Sequence, residues 1–399
     1  MSFKQDAKAA FGGLSITDKL LPLLIILAIV IGVLISVYVP SSGDAFDGAQ
    51  VVGVSVPLAV GMIIMMVPPL CKVEWENFHN FFKKSTYLRP ILISLVLNWI
   101  VCPFVMLGLA WLVLFNYDEY RTGIIMIGIA RCIAMVLLWN EIALGDNTLC
   151  AVIVLINSLM QVVLYAPYQL FFCYVISGDA IPVDSGVSYA LVAKSVAFFL
   201  GVPLGFGVII RFVLRYFQVY DKLMPFISPW ALIGLLYTII VIFIDKGKEF
   251  IEEIGTAFLC FIPLTLYFVI CWFLTFFGLR WLAKSPKLQD DESTGLLCGC
   301  EEKMEKYPAK WKRGCAANYS QIVTQSFTAA SNNFELSLAI AISIYGSGSK
   351  QAIAATFGPL LEVPILLILT FVARYFRTKF IWADVDEVTE VETEASCSS

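Results

Sequence analysis

The chain has 399 residues, of which 59% are hydrophobic and only 15% are charged, and its mean hydropathy is +0.82. Soluble globular proteins contain about 45–50% apolar and about 25% charged residues, so this composition excludes a soluble globular protein. The net charge of −4 excludes a nucleic-acid footprint, and the single histidine, His79, excludes a metal centre built from histidines.

Ten apolar segments follow one another along the chain, with lengths near the ~20 residues that cross ~30 Å of hydrocarbon as a helix. They are residues 18–39, 50–70, 90–115, 122–142, 148–176, 188–217, 226–245, 255–284, 316–344 and 351–377. The sequence therefore predicts an all-α polytopic membrane protein with ten transmembrane helices.

The lysine and arginine residues predict the orientation of these helices. With ten spans and both termini in the cytosol, 21 of the 27 basic residues fall on the cytosolic side and 4 on the outer side. Such a bias is typical of a correct span count, because removal of one span scrambles the alternation. The cytosolic parts are then residues 1–17, the loop 285–315 and an acidic tail, 378–399, that we expect to be disordered.

The ten spans divide into two halves of similar length. The first five occupy residues 18–176, and the second five occupy residues 188–377 with the loop 285–315 inserted. Five is an odd number, so two such halves have opposite orientations in the membrane. Inverted repeats of this kind are typical of secondary transporters, which bind substrate near the midplane on interrupted helices.

Ionisable residues inside the predicted spans are costly, at ~2.5–3.5 kcal/mol for a charge at the bilayer centre, and each requires a reason. Five occur: Arg131, Lys194, Arg211, Glu335 and Glu362. Lys194 and Arg211 lie nearer the ends of the sixth span, from which long side chains reach the interface. Arg131 and Glu335 have similar depths in the fourth span of each half.

Arg131 is followed directly by Cys132 near the middle of the fourth span. A neighbouring cation favours the thiolate form of a cysteine, and thiolates are soft ligands that thiophilic metals and metalloids prefer. The pair therefore predicts a metalloid-binding thiol. The alternative is that Cys132 is a small packing residue and that Arg131 only connects helices.

A cluster of polar residues interrupts the ninth span, at Thr328, Ser331, Asn332, Asn333 and Glu335. Serine and asparagine side chains compete with the helical backbone for hydrogen bonds, so we expect local unwinding there. Unwound backbone in a membrane is tolerated where it lines a cavity. The alternative is a buried Arg131–Glu335 ion pair that holds two helices together.

Further polar residues are candidates for the same cavity. Glu362 lies between Pro359 and Pro364, which predicts a kinked helix that presents the carboxylate to the cavity. Amide and indole groups in neighbouring spans are supporting candidates: Asn98, Trp139 and Asn157. The loop cysteines Cys298, Cys300 and Cys315 have the composition of a trigonal thiolate site but equally of inert or acylated thiols. No nucleotide-binding motif appears, so we expect an ion gradient to drive transport, with no ATPase subunit required.

Two strings in the interrupted spans resemble the arsenical-resistance efflux permeases of the bile acid/arsenite/riboflavin transporter superfamily, fungal members in particular. They are GIARCIAMVLLWN, residues 128–140, and SNNFELSLAIAI, residues 331–342. The resemblance covers the membrane region. It implies two inverted five-helix repeats, a panel domain of spans one, two, six and seven, and a core domain in which the broken helices four and nine cross.

The resemblance also implies a plasma-membrane antiporter, not an enzyme, that exports arsenite and antimonite in exchange for protons without a further cofactor. It implies that Cys132 and Glu335 bind substrate, with the neighbouring residues Arg131, Ser331 and Asn333. Proton coupling falls to Glu335 and Glu362. Supporting roles fall to Asn98, Trp139, Asn157 and Arg211.

Three other functions compete with this one. A sodium-coupled carrier of organic anions on the same fold uses Glu335 and Glu362 to bind sodium and Arg131 to bind a carboxylate. A membrane thiol enzyme or redox protein uses Cys132, but no span contains the CxxC pattern that supplies a resolving cysteine. A sensor uses the loop cysteines.

Overall fold

A computed structural model describes residues 16–39, 42, 49–73, 75–77, 85–133, 135–178, 189–252, 254–283, 318–346, 349–380 and 382. These residues are mostly helical. Most of the predicted N-terminal segment, the whole loop 285–315 with its three cysteines, and most of the acidic tail lie outside the described residues.

The described residues of the first half of the chain form six helices. They are α1 (Ile16–Tyr38), α2 (Val56–Lys72), α3 (Ser85–Val96 and Cys102–Val113, joined by a π-helical turn Leu97–Val101), α4 (Asp118–Ile129), α5 (Met135–Ile142) and α6 (Asn147–Gln169, extended by a π-helical segment Leu170–Ile176). A 3₁₀ turn, Trp75–Asn77, follows α2.

In the second half, the residues that the structure describes form eight helices. They are α7 (Tyr189–Val196 and Val202–Tyr216, joined by a π-helical turn Ala197–Gly201), α8 (Tyr220–Ile227), α9 (Pro229–Glu252), α10 (Ile254–Leu259), α11 (Phe261–Leu282), α12 (Tyr319–Ala330), α13 (Phe334–Tyr345) and α14 (Lys350–Lys379).

A β-hairpin replaces the start of the predicted second span, so the helix predicted over residues 50–55 is wrong. Strand β1 (Gln50–Val51) pairs antiparallel with β2 (Val54–Ser55). Both residues of the connecting turn have positive φ, 51° at Val52 and 76° at Gly53. Such two-residue turns match the twist of the flanking strands, and glycine adopts this conformation without strain.

Six helices of the described chain are long and apolar enough to cross a membrane. One span each lies in α3, α6, α7 and α14, one runs through α8 and α9, and one runs through α10 and α11. The shorter apolar helices include α2 and α13. The chain is therefore a multi-pass membrane protein, whereas the count of ten spans stays a prediction.

Helices from both halves of the chain pack into two groups. In the first group, α1 packs along α9, and α2 packs on both α9 and α7. In the second, α4 packs on α3 and α14, while α11 packs on α3 and α12. Close backbone approach in the first group depends on Gly234 of α9, where an added Cβ would lie 2.7 Å from the Met65 nitrogen.

Candidate functional site

Two helical breaks meet in the middle of the second group of helices. The first separates α4 from α5, and the second separates α12 from α13. Arg131 in the first break and Asn332 in the second form an antiparallel backbone bridge, and the Asn333 N–H donates to the Ala130 carbonyl over 3.2 Å. The unwinding expected at Ser331–Asn333 is confirmed, because the helix ends at Ala330 and begins again at Phe334.

The Asn333 side chain explains why α13 begins where it does. Its Oδ1 accepts a hydrogen bond from the Leu336 N–H over 3.1 Å, which is the geometry of an N-cap. Asparagine is among the preferred N-cap residues because its side chain satisfies a free N–H of the first turn. Asn318 caps α12 in the same way, through the Gln321 N–H at 3.1 Å.

Arg131 holds the two breaks together. The guanidinium is fully buried and donates to Tyr267 Oη over 3.1 Å, to Asn332 Oδ1 over 2.8 Å, and to the Gly128 carbonyl. Tyr267 in turn donates to the Ala329 carbonyl at 3.2 Å. Gly128 and Ala329 belong to the last turns of α4 and α12, so the cation lies at the negative ends of two half-helices.

The role predicted for Arg131 changes accordingly. The described ion pairs do not join it to Glu335, and its side chain is not part of the cavity lining. Its guanidinium donates to uncharged oxygens rather than to the Cys132 sulfur. Arg131 is therefore a positioning residue for the crossing, and its direct contact with the substrate stays a prediction.

Cys132 and Glu335 line the same cavity. Cys132 is 3% exposed, and its sulfur has hydrogen-bond partners in the Ser331 hydroxyl and the Val136 N–H of the first turn of α5. Glu335 lies in the first turn of α13, where the positive end of the helix favours a carboxylate. The other lining residues are Met65, Met66, Pro69 and Leu70 of α2, with Ile133, Met135, Asn332 and Asn333.

Glu362 lies behind the cavity rather than on it. Its carboxylate accepts a hydrogen bond from the Ser331 hydroxyl and another from the Asn332 N–H. Since Ser331 also contacts Cys132, one hydrogen-bonded chain runs from the Cys132 thiol through the Ser331 hydroxyl to Glu362. This carboxylate lies beside the break, as the sequence suggested, but not in the cavity lining.

The supporting residues predicted in neighbouring helices do not line the cavity. Asn157 accepts from Trp99 Nε1 over 3.0 Å and so connects α6 with α3. Asn98 is fully buried in the π-helical turn of α3, and Trp139 is buried in α5. Sequence reasoning missed Tyr267 and Gln161, whose Oε1 accepts from the Arg131 N–H at 3.0 Å.

Arg211 lies in a different place from the other predicted residues. It donates to both carboxylate oxygens of Glu76, over 2.8 and 2.7 Å, and to the carbonyls of Cys71 and Lys72 over 3.0 and 3.1 Å. The guanidinium thus caps the C-terminus of α2 and anchors it to α7. These contacts do not support the predicted role of Arg211 in the site.

The Glu76–Arg211 pair predicts a pH-dependent contribution to stability. Hydrogen bonds from Arg211 hold the pKa of Glu76 below its ordinary value. The stabilisation is therefore complete above the ordinary carboxyl pKa and is lost as the pH falls through the lowered one. We expect Glu76→Gln to cost about 1 kcal/mol at pH 7, near the upper end for partly exposed ion pairs, and much less in strong acid.

Thermal unfolding midpoints in detergent micelles across pH test this expectation. Glu119→Gln is the control, because its ion pair with Lys350 is exposed on both sides and longer, at 3.4 Å. Equal midpoints for the two variants at pH 7 would contradict the role assigned to the Arg211 pair.

Gly358 of α14 sets how closely this helix approaches the break. A methyl group at this position would overlap the ring of Phe334, the first residue of α13. We expect Gly358→Ala to lower the free energy of unfolding by about 1–3 kcal/mol, as overpacking of a core typically does. The measurement is the thermal unfolding midpoint in detergent.

Gly108→Ala in α3 is the control for this substitution, because nothing lies within 4 Å of the added methyl group. Alanine at an unstrained helix position is favoured over glycine by about 0.5–1 kcal/mol, so this variant should match or exceed the original protein in stability. If the Gly358 variant is equally stable, the tight Phe334 contact does not limit the packing at the break.

Comparisons with known proteins place these features in a family. A sequence model of the sodium bile acid symporter family matches residues 59–253. The chain is 35% identical over 385 residues to the arsenical-resistance protein Acr3 of Corynebacterium glutamicum, covering 95% of this chain and 94% of that protein. It is 26% identical to an uncharacterized transporter of Synechocystis, over 92% of this chain and 90% of that protein. Identity to Acr3 of Alkaliphilus metalliredigens is 23%, over 92% of this chain and 95% of that protein. The grouping with fungal members stays a prediction.

Proposed function

Since the chain belongs to the Acr3 arsenical-resistance family of membrane transporters, we propose that it exports arsenite and antimonite from the cytosol in exchange for protons. The observation that carries the proposal is the shared cavity of Cys132 and Glu335 at the crossing of two broken helices. A soft sulfur ligand and a titratable carboxylate then contact the same substrate molecule.

The proposed architecture is ten spans in two inverted five-span repeats in the plasma membrane, with both termini cytosolic. Segments α4–α5 and α12–α13 are the fourth spans of the two halves. The packing of α1, α2, α7 and α9 on one another supports a panel domain. The remaining helices form the core domain that carries the site.

The cavity supports entry of substrate from the cytosol. It lies against residues 65–70 of α2, near the end marked by Lys72, which the charge distribution assigns to the cytosolic side. At the opposite end, the Ser343 hydroxyl donates to the Val52 carbonyl over 2.6 Å and lies 2.6 Å from the Ser195 hydroxyl. These contacts join α7, α13 and the hairpin, and they close the outer side.

Binding follows from the chemistry of trivalent arsenic. Neutral arsenous acid condenses with the Cys132 thiol to form one As–S bond, and the departing hydroxyl leaves as water with the thiol proton. Through the Ser331 hydroxyl, the Glu362 carboxylate accepts the thiol proton as the sulfur attacks and returns it by the same path to the departing hydroxyl group. The remaining hydroxyl groups bind Asn333 and Glu335. One As–S bond permits release, whereas a three-thiolate site would retain the metalloid.

Proton coupling is assigned to the two carboxylates, with Glu335 as the group that titrates against the gradient and Glu362 as its partner behind Ser331. The deprotonated Glu335 carboxylate accepts hydrogen bonds from substrate hydroxyl groups, and protonation from the outer side removes those acceptors and releases substrate. The driving force is sufficient, since one charge moving through 100 mV yields ~2.3 kcal/mol and one pH unit adds ~1.36 kcal/mol.

Protection of Cys132 from alkylation tests the proposed substrate class. Purified protein is treated with N-ethylmaleimide with or without arsenite, and modification of the Cys132 peptide is measured by mass spectrometry. Arsenite should slow modification of Cys132, and a bile acid should not. Protection by the bile acid alone would contradict the proposal.

A second candidate function is a sodium-coupled carrier of organic anions, and the match to the sodium bile acid symporter family over residues 59–253 favours it. Carboxylates and amide oxygens suit sodium, and Glu335, Asn332 and Asn333 line one cavity. Transport that requires sodium and persists in Cys132→Ser would support this candidate over the metalloid exporter.

A further inference from the structure

Three methionines form one wall of the cavity that holds Cys132. We define the methionine wall as Met65 and Met66 of α2 with Met135 of α5. The chain has ten methionines, and Met62 of the same helix is fully buried without lining the cavity. If this wall had only to be apolar, methionine would not be required, because leucine and isoleucine occur as apolar residues elsewhere in α2.

The methionine wall is shared between α2, which carries Met65 and Met66, and the broken segment α5, which carries Met135. Met65 and Met66 are 4% and 6% exposed and belong to α2, whereas Cys132, Asn333 and Glu335 belong to the broken segments. A molecule attached to the Cys132 sulfur in this cavity therefore also contacts α2. The second contact partner of the substrate is thus a thioether-bearing helix from the other packing group.

The prolines of α2 remove the helical hydrogen-bond donors of one residue that lines the cavity. Residues 68 and 69 are both proline and have no backbone N–H. The Met65 carbonyl oxygen consequently has neither the i+3 nor the i+4 donor that an ordinary helical carbonyl has. A hydroxyl group of a trivalent oxyacid is a donor of matching chemistry, so this stretch of α2 presents both a soft ligand and an oxygen acceptor.

Thioether sulfur is a soft, polarizable ligand. Trivalent arsenic and antimony in an oxyacid keep acceptor orbitals opposite their primary bonds, and antimony, being larger and softer, accepts electron density from sulfur more strongly. From the position of these residues we infer that the methionine wall is the second half of the substrate site and sets the preference for antimonite over arsenite. This inference rests on the proposed function.

Competition between the two metalloids measures this role. Everted vesicles accumulate arsenite and antimonite, and the ratio of kcat/KM for antimonite to that for arsenite is compared among variants. Met65→Leu, Met66→Leu and the double variant keep volume and apolarity, and swaps between leucine and methionine are generally well tolerated. Met62→Leu is the matched control in the same helix.

We expect the antimonite-to-arsenite ratio to fall by about fivefold in the double variant, as loss of one weak contact predicts, and to stay unchanged in Met62→Leu. The single variants decide the question if the double variant does not insert. An unchanged ratio, or wild-type transport of arsenite without antimonite, would overturn the inference and leave the exporter standing. If wild type carries neither metalloid, the proposed function fails first.

Discussion

Cys132→Ser is expected to reduce metalloid export to the background of cells that lack the protein. The hydroxyl of serine is a hard ligand and does not replace the soft sulfur that binds trivalent arsenic. Intracellular arsenic in cells exposed to arsenite should therefore match that of cells with an empty vector. Cys132 is buried in a packed region, so membrane insertion of the variant is checked in parallel.

Cys150→Ser provides the matched control, because Cys150 is a fully buried thiol of α6 near Cys132 that does not line the cavity. Its substitution also removes a buried thiol sulfur close to the site, but this sulfur does not contact the substrate. Export retained by Cys132→Ser, or lost equally in both variants, would contradict the assignment of the As–S bond to Cys132.

Glu335→Gln is expected to separate substrate exchange from proton-driven accumulation. Glutamine keeps the shape of the side chain and one acceptor oxygen but does not titrate. In proteoliposomes with the membrane voltage held at zero, a pH difference of one unit should support about tenfold accumulation per exchanged proton in wild type, since one unit is ~1.36 kcal/mol. The variant should equilibrate arsenite without accumulating it.

Glu362→Gln distinguishes the two carboxylates. Glu362 lies behind Ser331 and not in the cavity lining, so its substitution should slow arsenite binding more than it lowers the final accumulation. If Glu335→Gln still accumulates arsenite about tenfold per pH unit while Glu362→Gln does not, the coupling carboxylate is Glu362 and our assignment is reversed.

The sequence predicted those features of the site that depend on local chemistry. Ser331, Asn332 and Asn333 compete with helical hydrogen bonds, so the second break is visible in the sequence. The first break carries no comparable signal around Arg131 and Cys132. It is stabilised by the bridge to Asn332 and by the Arg131 contacts with Tyr267, which exist only after the two segments meet.

Features that depend on distant contacts could not be predicted. The Val-Val-Gly-Val run at residues 51–54 is as apolar as the predicted transmembrane helices. The hairpin forms through the positive φ angles of its turn, which this apolar pattern does not indicate. The resemblance gives Arg211 a supporting role, whereas its partner, Glu76, is 135 positions away and could not be identified from the sequence. The position of Met65 and Met66 against Cys132 likewise depends on how α2 packs on the broken helices.

The most direct test of the exporter is arsenite accumulation by everted membrane vesicles that contain the wild-type chain, with an imposed pH gradient and no sodium. The account predicts accumulation that follows the pH gradient, collapses when a protonophore removes it, and is absent with Cys132→Ser but present with Cys150→Ser. Accumulation that needs sodium, or none with wild-type protein that is correctly inserted, would contradict it.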